Sequence, residues 1–262
     1  MRVDVAARDG DVLIIQGRLD GGAGNRGQSI TAQSDPVYVA NHIYPSYFQG
    51  YPDGTFGPER PLTRAEAAAV TARFLGLKAA PRSIFPDVPV DHRAAGYITA
   101  VYDASIMKGD DLGNFNPESP ITRSEMTATV LRVMVDEENI IRYSQFDPAP
   151  GAYQDVAASH WFYDYLRLGS QLNITHPAAG HPAAGSLYLP DEAIGRADAA
   201  VLIAMSLRRG ELIDGDTPVR QVFADVDRNH WGFGWVAQVA RPDHRGVNID
   251  QRTMLLIEYL SD

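Results

Sequence analysis

Three arginines recur in a setting where a positive side chain is chemically useful. The segments FGPERPLTRAE from Phe56, FNPESPITRSE from Phe115 and YLPDEAIGRAD from Tyr188 align with an aromatic eight residues before Arg64, Arg123 and Arg196 and a proline six before each. Thr63 with Glu66, and Thr122 with Glu125, have the spacing of a capping box, in which the Thr hydroxyl takes an early helix N–H and the Glu reaches back to the Thr N–H. Those caps put each Arg at the first helical position. A cation there opposes the helix macrodipole by about 0.3–1 kcal/mol, so a threefold recurrence calls for a reason. Two are open. The guanidinium and the helix end together form a site for a carboxylate or phosphate, or each Arg pairs with an acidic residue and ties one repeat to the next.

A second unit recurs between these segments: FPDVPVDHR from Phe85, YQDVAASHW from Tyr153 and FADVDRNHW from Phe223. Asp87, Asp155 and Asp225 read as helix caps in each copy. His92, His160 and His230 match no metal spacing and read as capping or packing groups. His176 and His181 share one loop, through a small duplication of HPAAG, without a carboxylate partner. Trp161 and Trp231 are open between core anchors and platforms for a sugar ring. Asp53-Gly54 and Asp110-Asp111 lack the alternating oxygens of a calcium loop. No metal or other cofactor is implied, and no nucleophile elbow, phosphate loop or zinc-protease motif occurs, so no enzyme activity is expected.

The elements that must position these residues are helices. After each FxDV unit, Tyr97-Ile98, Tyr165-Leu166 and Trp235-Val236 begin amphipathic helices with their apolar face inward. The loops Gly50–Phe56 and Gly109–Phe115 agree in length and in glycine placement, which suggests positive φ. The expected fold is mainly α, two helical units alternating along the chain and joined by Gly- and Pro-rich loops, with a small N-terminal β-hairpin. In that hairpin, VDVA pairs with VLIIQGRL across the turn Arg8–Asp11. One hairpin is not stable alone, so residues 1–34 must dock on the body, on another domain or on another protein. The organisation reads as hairpin and linker 1–36, repeats 37–80, 81–142 and 143–212, and a half-repeat with a closing segment at 213–262. Repeat one lacks an FxDV unit and the end of the chain has one to spare, so the end is expected to compensate for the beginning. The final TMLLIEYL reads as a short helix or strand.

The chain of 262 residues has 23 Lys and Arg against 33 Asp and Glu, a net charge of −10, and no cysteine. That charge argues against sequence-independent nucleic-acid binding. The missing cysteines exclude disulfides, thiolate metal sites and Cys nucleophiles. No apolar run is long enough to span a bilayer, and MRVDVAARDGDVL lacks the layout of a secretory signal.

The run GYPDGTFGPERPLTRAE followed by an Ala-rich helix resembles the S-layer homology family, and the FxDV…HW units resemble that family's other half-repeat. The resemblance covers roughly residues 37–245. It implies a pseudo-threefold, all-α body, three repeats around a central bundle with grooves between lobes, and non-covalent anchoring of extracellular proteins to the bacterial cell wall. The ligand it implies is an anionic secondary cell-wall polysaccharide, often bearing pyruvate ketals on N-acetylmannosamine. Its Arg contact falls on Arg64, Arg123 and Arg196, and the candidate ligand set is completed by Asp53, Gly54, Trp161 and Trp231. An alternative reading is an assembly protein of an S-layer, filament or phage virion, whose repeats and residues 1–34 contact neighbouring copies or another structural protein.

Overall fold

The computed structural model describes residues 12–13, 16–19, 30–33, 37–38, 46–135, 139–140, 153–175, 185, 187–207, 209–214, 217–240, 243–248 and 253–259. Three helices follow the Arg motifs: α1 (Arg64–Phe74), α3 (Arg123–Met134) and α5 (Arg196–Ser206). Both capping boxes are formed, with the hydroxyls of Thr63 and Thr122 accepting from the Glu66 and Glu125 N–H groups while each carboxylate accepts from its Thr N–H. In α5 the cap is Gly195, with no side-chain bond. Three shorter helices follow the FxDV units: α2 (Ala95–Asp103), α4 (Tyr163–Gln171) and α6 (Phe233–Val239). Ile98, Leu166 and Val236 are buried on them, as the periodicity requires.

The three lobes meet in a closed triangle of backbone bonds. Leu62 N–H donates to Ile194 O, Ile194 N–H to Ile121 O, and Ile121 N–H to Leu62 O, at 2.9–3.0 Å. Each residue is fully buried and precedes the cap of an Arg helix, so the pseudo-threefold axis is built from the same sequence position used three times. The core around it includes Phe48, Phe56, Phe115 and Phe162, all without exposed surface.

The FxDV carboxylates, expected as helix caps, cap no helix. The described N-caps of α2, α4 and α6 are Ala94, Phe162 and Gly232, none with a side-chain bond. Each Asp instead binds the backbone of an aromatic loop. Asp87 accepts from the N–H groups of Phe115 and Asn116, Asp155 from Tyr188 and Leu189, and Asp225 from Phe56 and Gly57, all at 2.6–2.9 Å. Two adjacent N–H groups of one loop are satisfied together by the two oxygens of one carboxylate.

The last of these pairs closes the ring. Asp225 and Phe223 lie far along the chain from Phe56, yet the two rings pack at 5.2 Å, and Val239 O accepts from the N–H groups of Tyr47 and Phe48. The surplus half-repeat at the end thus completes the truncated first repeat, as expected from the sequence.

At the N-terminus, strands β1 (Val12–Leu13) and β2 (Gln16–Leu19) pair antiparallel with β4 (Val37–Tyr38) and β3 (Ile30–Gln33). Within VLIIQGRL the described pairing partners are thus residues 30–33 and 37–38. Residues 3–6 and the turn Arg8–Asp11 lie outside the described residues, as do His176 and His181. Strand β5 (Glu211–Ile213) runs parallel to β7 (Thr253–Tyr259), which pairs antiparallel with β6 (His244–Asn248), so the described part of TMLLIEYL, Thr253–Tyr259, is a strand. Strand β4 lies beside β6. Among the described residues, no helix is long and apolar enough to cross a membrane.

Candidate functional site

The first N–H groups of each Arg helix, left open by helix geometry, are taken by the loop of another repeat. Arg64 and Ala65 N–H donate to Ser119 and Pro117 O, Arg123 and Ser124 to Glu192 and Pro190 O, and Arg196 and Ala197 to Arg60 and Pro58 O, at 2.9–3.1 Å. The third N–H of α1 and α3 is held by the Thr cap. The helix ends therefore hold backbone carbonyls, and an anion site made of open helix N–H groups is not what the sequence builds.

The guanidinium groups run round the ring in one direction. Arg64 donates from Nε to Phe115 O at 2.8 Å, from Nη2 to Lys108 O at 2.8 Å and from Nη1 to Glu125 at 3.1 Å. Arg196 repeats the set on the first lobe, with Phe56 O, Gln49 O and Glu66 at 2.8, 2.7 and 3.4 Å. Arg123 pairs with Asp198 at 3.0 Å. Each Arg thus meets the acid at the third position of the next Arg helix, which caps in α1 and α3 but not in α5, and the acid offsets the unfavourable position of the cation. The tying of repeats is observed.

Access to the three differs. Arg196 is 3% exposed and stacked over Tyr51 and Phe56. Burial pulls its guanidinium below the ordinary value, against the opposing pull of Tyr51 and Glu66. Beside Arg64 lies an open cleft of about 420 Å³, lined by Arg64, Lys108, Glu125, Thr129, Arg132 and Trp161 among others. Trp161 is 52% exposed, its ring held edge-on by Phe162 and Tyr165. Trp231 is half-buried against the core and donates from Nε1 to Glu59 at 3.1 Å. The third copy of this position is Arg93. The two tryptophans therefore separate, one exposed and lining the cleft and the other bonded to Glu59 of the first lobe.

Sequence reasoning missed Arg132 and Lys108. Arg132 donates from Nη2 to Tyr165 Oη at 2.8 Å and stacks over its ring. Its place, seven residues after the capping acid, is Arg73 in α1 and Met205 in α5; aligning the helices beyond the motif would have exposed it. Asp53 accepts from Thr55 N–H and Oγ1, bonds that hold its carboxyl below the ordinary range, and Gly54 adopts φ +82. Both shape the turn. The histidines act as local caps: Nδ1 of His92, His160 and His230 accepts from the N–H of Ala94, Phe162 and Gly232, while Nε2 faces Glu118, Asp191 and Glu59. Among the described residues, no group of three metal-ligating side chains converges.

A closed ring of three helical repeats, tied by arginines and bearing an aromatic and cationic cleft beside Arg64, defines a three-repeat helical cassette. Comparison with known proteins agrees. The S-layer homology domain profile matches residues 46–68 and 84–127. The chain is 30% identical to cell surface glycoprotein 1 of Acetivibrio thermocellus over 79% of its own length and 9% of that protein. It is also 30% identical to the cellulosome-anchoring protein of the same organism, over 73% of its own length and 41% of that protein, and 28% identical to an S-layer protein of Bacillus licheniformis over 60% of its length and 17% of that protein. The chain belongs to the S-layer homology domain family. It spans less than half the length of each of these relatives.

Proposed function

We propose that the chain holds its protein at a bacterial cell surface by binding an anionic, pyruvylated secondary cell-wall polysaccharide in the cleft beside Arg64. The observation that carries this reading is the convergence of Arg64, Arg132 and an exposed Trp161 on one opening. The bonds described for Arg64 engage three of the five N–H donors of a guanidinium, so tying the repeats leaves two to meet a carboxylate. Trp161 offers its face to the C–H face of a pyranose. A few placed polar groups on an aromatic wall is the usual build of a site for a small ligand. Arg123, with its side chain 15% exposed, is a second contact, and Arg196, Trp231, Asp53 and Gly54 serve the frame.

The anchoring and S-layer names of the relatives favour this reading, in which the module binds and carries out no reaction; the virion alternative draws no support from them. The test is binding of purified wall polysaccharide, native and chemically depyruvylated. The native polymer is expected to bind and the depyruvylated one to bind at least tenfold more weakly, with Trp161→Ala and Arg132→Gln each costing a similar factor. Equal binding of both polymers, or a double variant that binds as the parent does, overturns it.

A further inference from the structure

The loop that borders the Arg64 cleft borders a second one. An opening of about 520 Å³ is lined by Phe85, Tyr102, Asp103, Ser105, Gly113 and the segment Lys108–Asp110, and that same segment lines the Arg64 cleft. Lys108–Asp110 is therefore a common rim between two adjoining depressions. The rim is fixed: Asp110 accepts from the N–H groups of Leu112 and Asn114 and from Asn116 Nδ2, at 2.8–3.0 Å, while Lys108 O is held by Arg64. Asp103 is drawn off by Arg82 at 2.7 Å, and the exposed ring of Tyr102 is the group of the second cleft suited to a sugar.

Tyr102 marks the cleft as particular to this lobe. It packs edge-on to Phe85, the centroids 5.2 Å apart at 84°, and remains 43% exposed at the end of α2. Counting from the FxDV aromatic, the corresponding residues of the other two copies are Ser170 and Ala240. The aromatic therefore occurs only in the lobe that also borders Arg64, Arg132 and Trp161. A scaffold role repeated by symmetry does not account for it.

We infer that the second cleft is an extension subsite for the same polysaccharide. The charged unit rests between Trp161 and the arginines, and the next sugar of the chain crosses the Lys108–Asp110 rim to lie against Tyr102. The inference rests on the reading of the Arg64 cleft, and it adds a length requirement to it. The ligand is a polymer gripped over at least two units, so affinity rises with chain length within a single protein molecule.

The experiment titrates the full chain with pyruvylated wall-polysaccharide fragments of one, two and three sugar units. For the parent, the step from one unit to two is expected to raise affinity about fivefold or more. Tyr102→Ser, which installs the residue of the third lobe, is expected to bind one unit as the parent does and to lose most of that step. A thermal melt of the variant separates this effect from loss of fold. If Tyr102→Ser keeps the full length step, or the parent shows none, the extension subsite is wrong while the Arg64 cleft stands. If no fragment binds the parent, both fall.

Discussion

Each Asp of the FxDV units holds two neighbouring backbone N–H groups with its two oxygens, and that geometry sets what its loss would cost. Replacing Asp225 by Ala leaves the N–H groups of Phe56 and Gly57 without their acceptor in a half-buried loop, about 1–3 kcal/mol for such a group. We expect Asp225→Ala to lower stability by about 2–4 kcal/mol in urea unfolding and Asp87→Ala by a similar amount, with Asn restoring less than half because an amide has one acceptor oxygen. Equal stability of parent and variants would sink the bidentate account. This role was invisible in the sequence because the partners of Asp225 are separated from it by most of the chain. The capping pairs Thr63–Glu66 and Thr122–Glu125 were legible because both partners lie within one turn. Arg132 was missed for a different reason: it lies beyond the aligned motif, where the repetition is only partial, with Arg73 in α1 but Met205 in α5.

At the level of elements, the two glycines of each loop do different things. Gly54 and Gly113 take φ near +80 with open space where a Cβ would stand, so their requirement is conformational. Gly50 and Gly109 have ordinary φ. A Cβ on Gly50 would run into the Phe223 ring and come within 2.9 Å of Thr55 O, and one on Gly109 would meet Phe85 at 2.7 Å and Asn114 O at 2.8 Å. Their small size lets the FxDV aromatic lie against the loop, so the expectation of positive φ holds at one glycine of each pair and gives way to close packing at the other. Gly50→Ala is expected to cost about 1–3 kcal/mol by forcing the two halves of the first repeat apart, and Gly54→Ala about 1 kcal/mol, measured by thermal unfolding. Strand β5 yields a pH test. Burial raises the Glu211 carboxyl above its ordinary value, so the folded state favours the protonated form, and the associated stability is present at low pH and lost as pH rises through the raised value. Glu211→Gln should therefore be more stable than the parent at pH 7 and indistinguishable from it near pH 3. A variant less stable at pH 7 would show that the carboxylate has a partner it needs.

Across the whole molecule, the arrangement is a ring whose covalent opening falls inside the first repeat. Tyr47 and Phe48 N–H reach Val239 O, so residue 240 ends beside the start of the first loop, and the first repeat is assembled from the two extremes of the described body. The sequence carried this in outline, through a missing unit at the front and a spare one at the back, but it could not show the triangle at Leu62, Ile121 and Ile194, because nothing local marks those apolar residues as neighbours. Placing the opening elsewhere should leave the native contacts intact, since a ring of noncovalent joints has no preferred start and chain ends that lie together suit permutation. A permutant that begins at Pro218, continues through Ala240, joins Ser46 by a short Gly-Ser linker and ends at Leu207 is expected to fold cooperatively, with the helical circular dichroism of the parent body. The uninterrupted segment 46–207, lacking Phe223 and Asp225, is expected to lose the first lobe, because Phe48 and Phe56 would be left facing water at about 1.5–3 kcal/mol each. Urea unfolding with the far-ultraviolet signal as readout compares the two. A segment 46–207 as stable as the permutant would mean that the terminal half-repeat only decorates the ring instead of closing it.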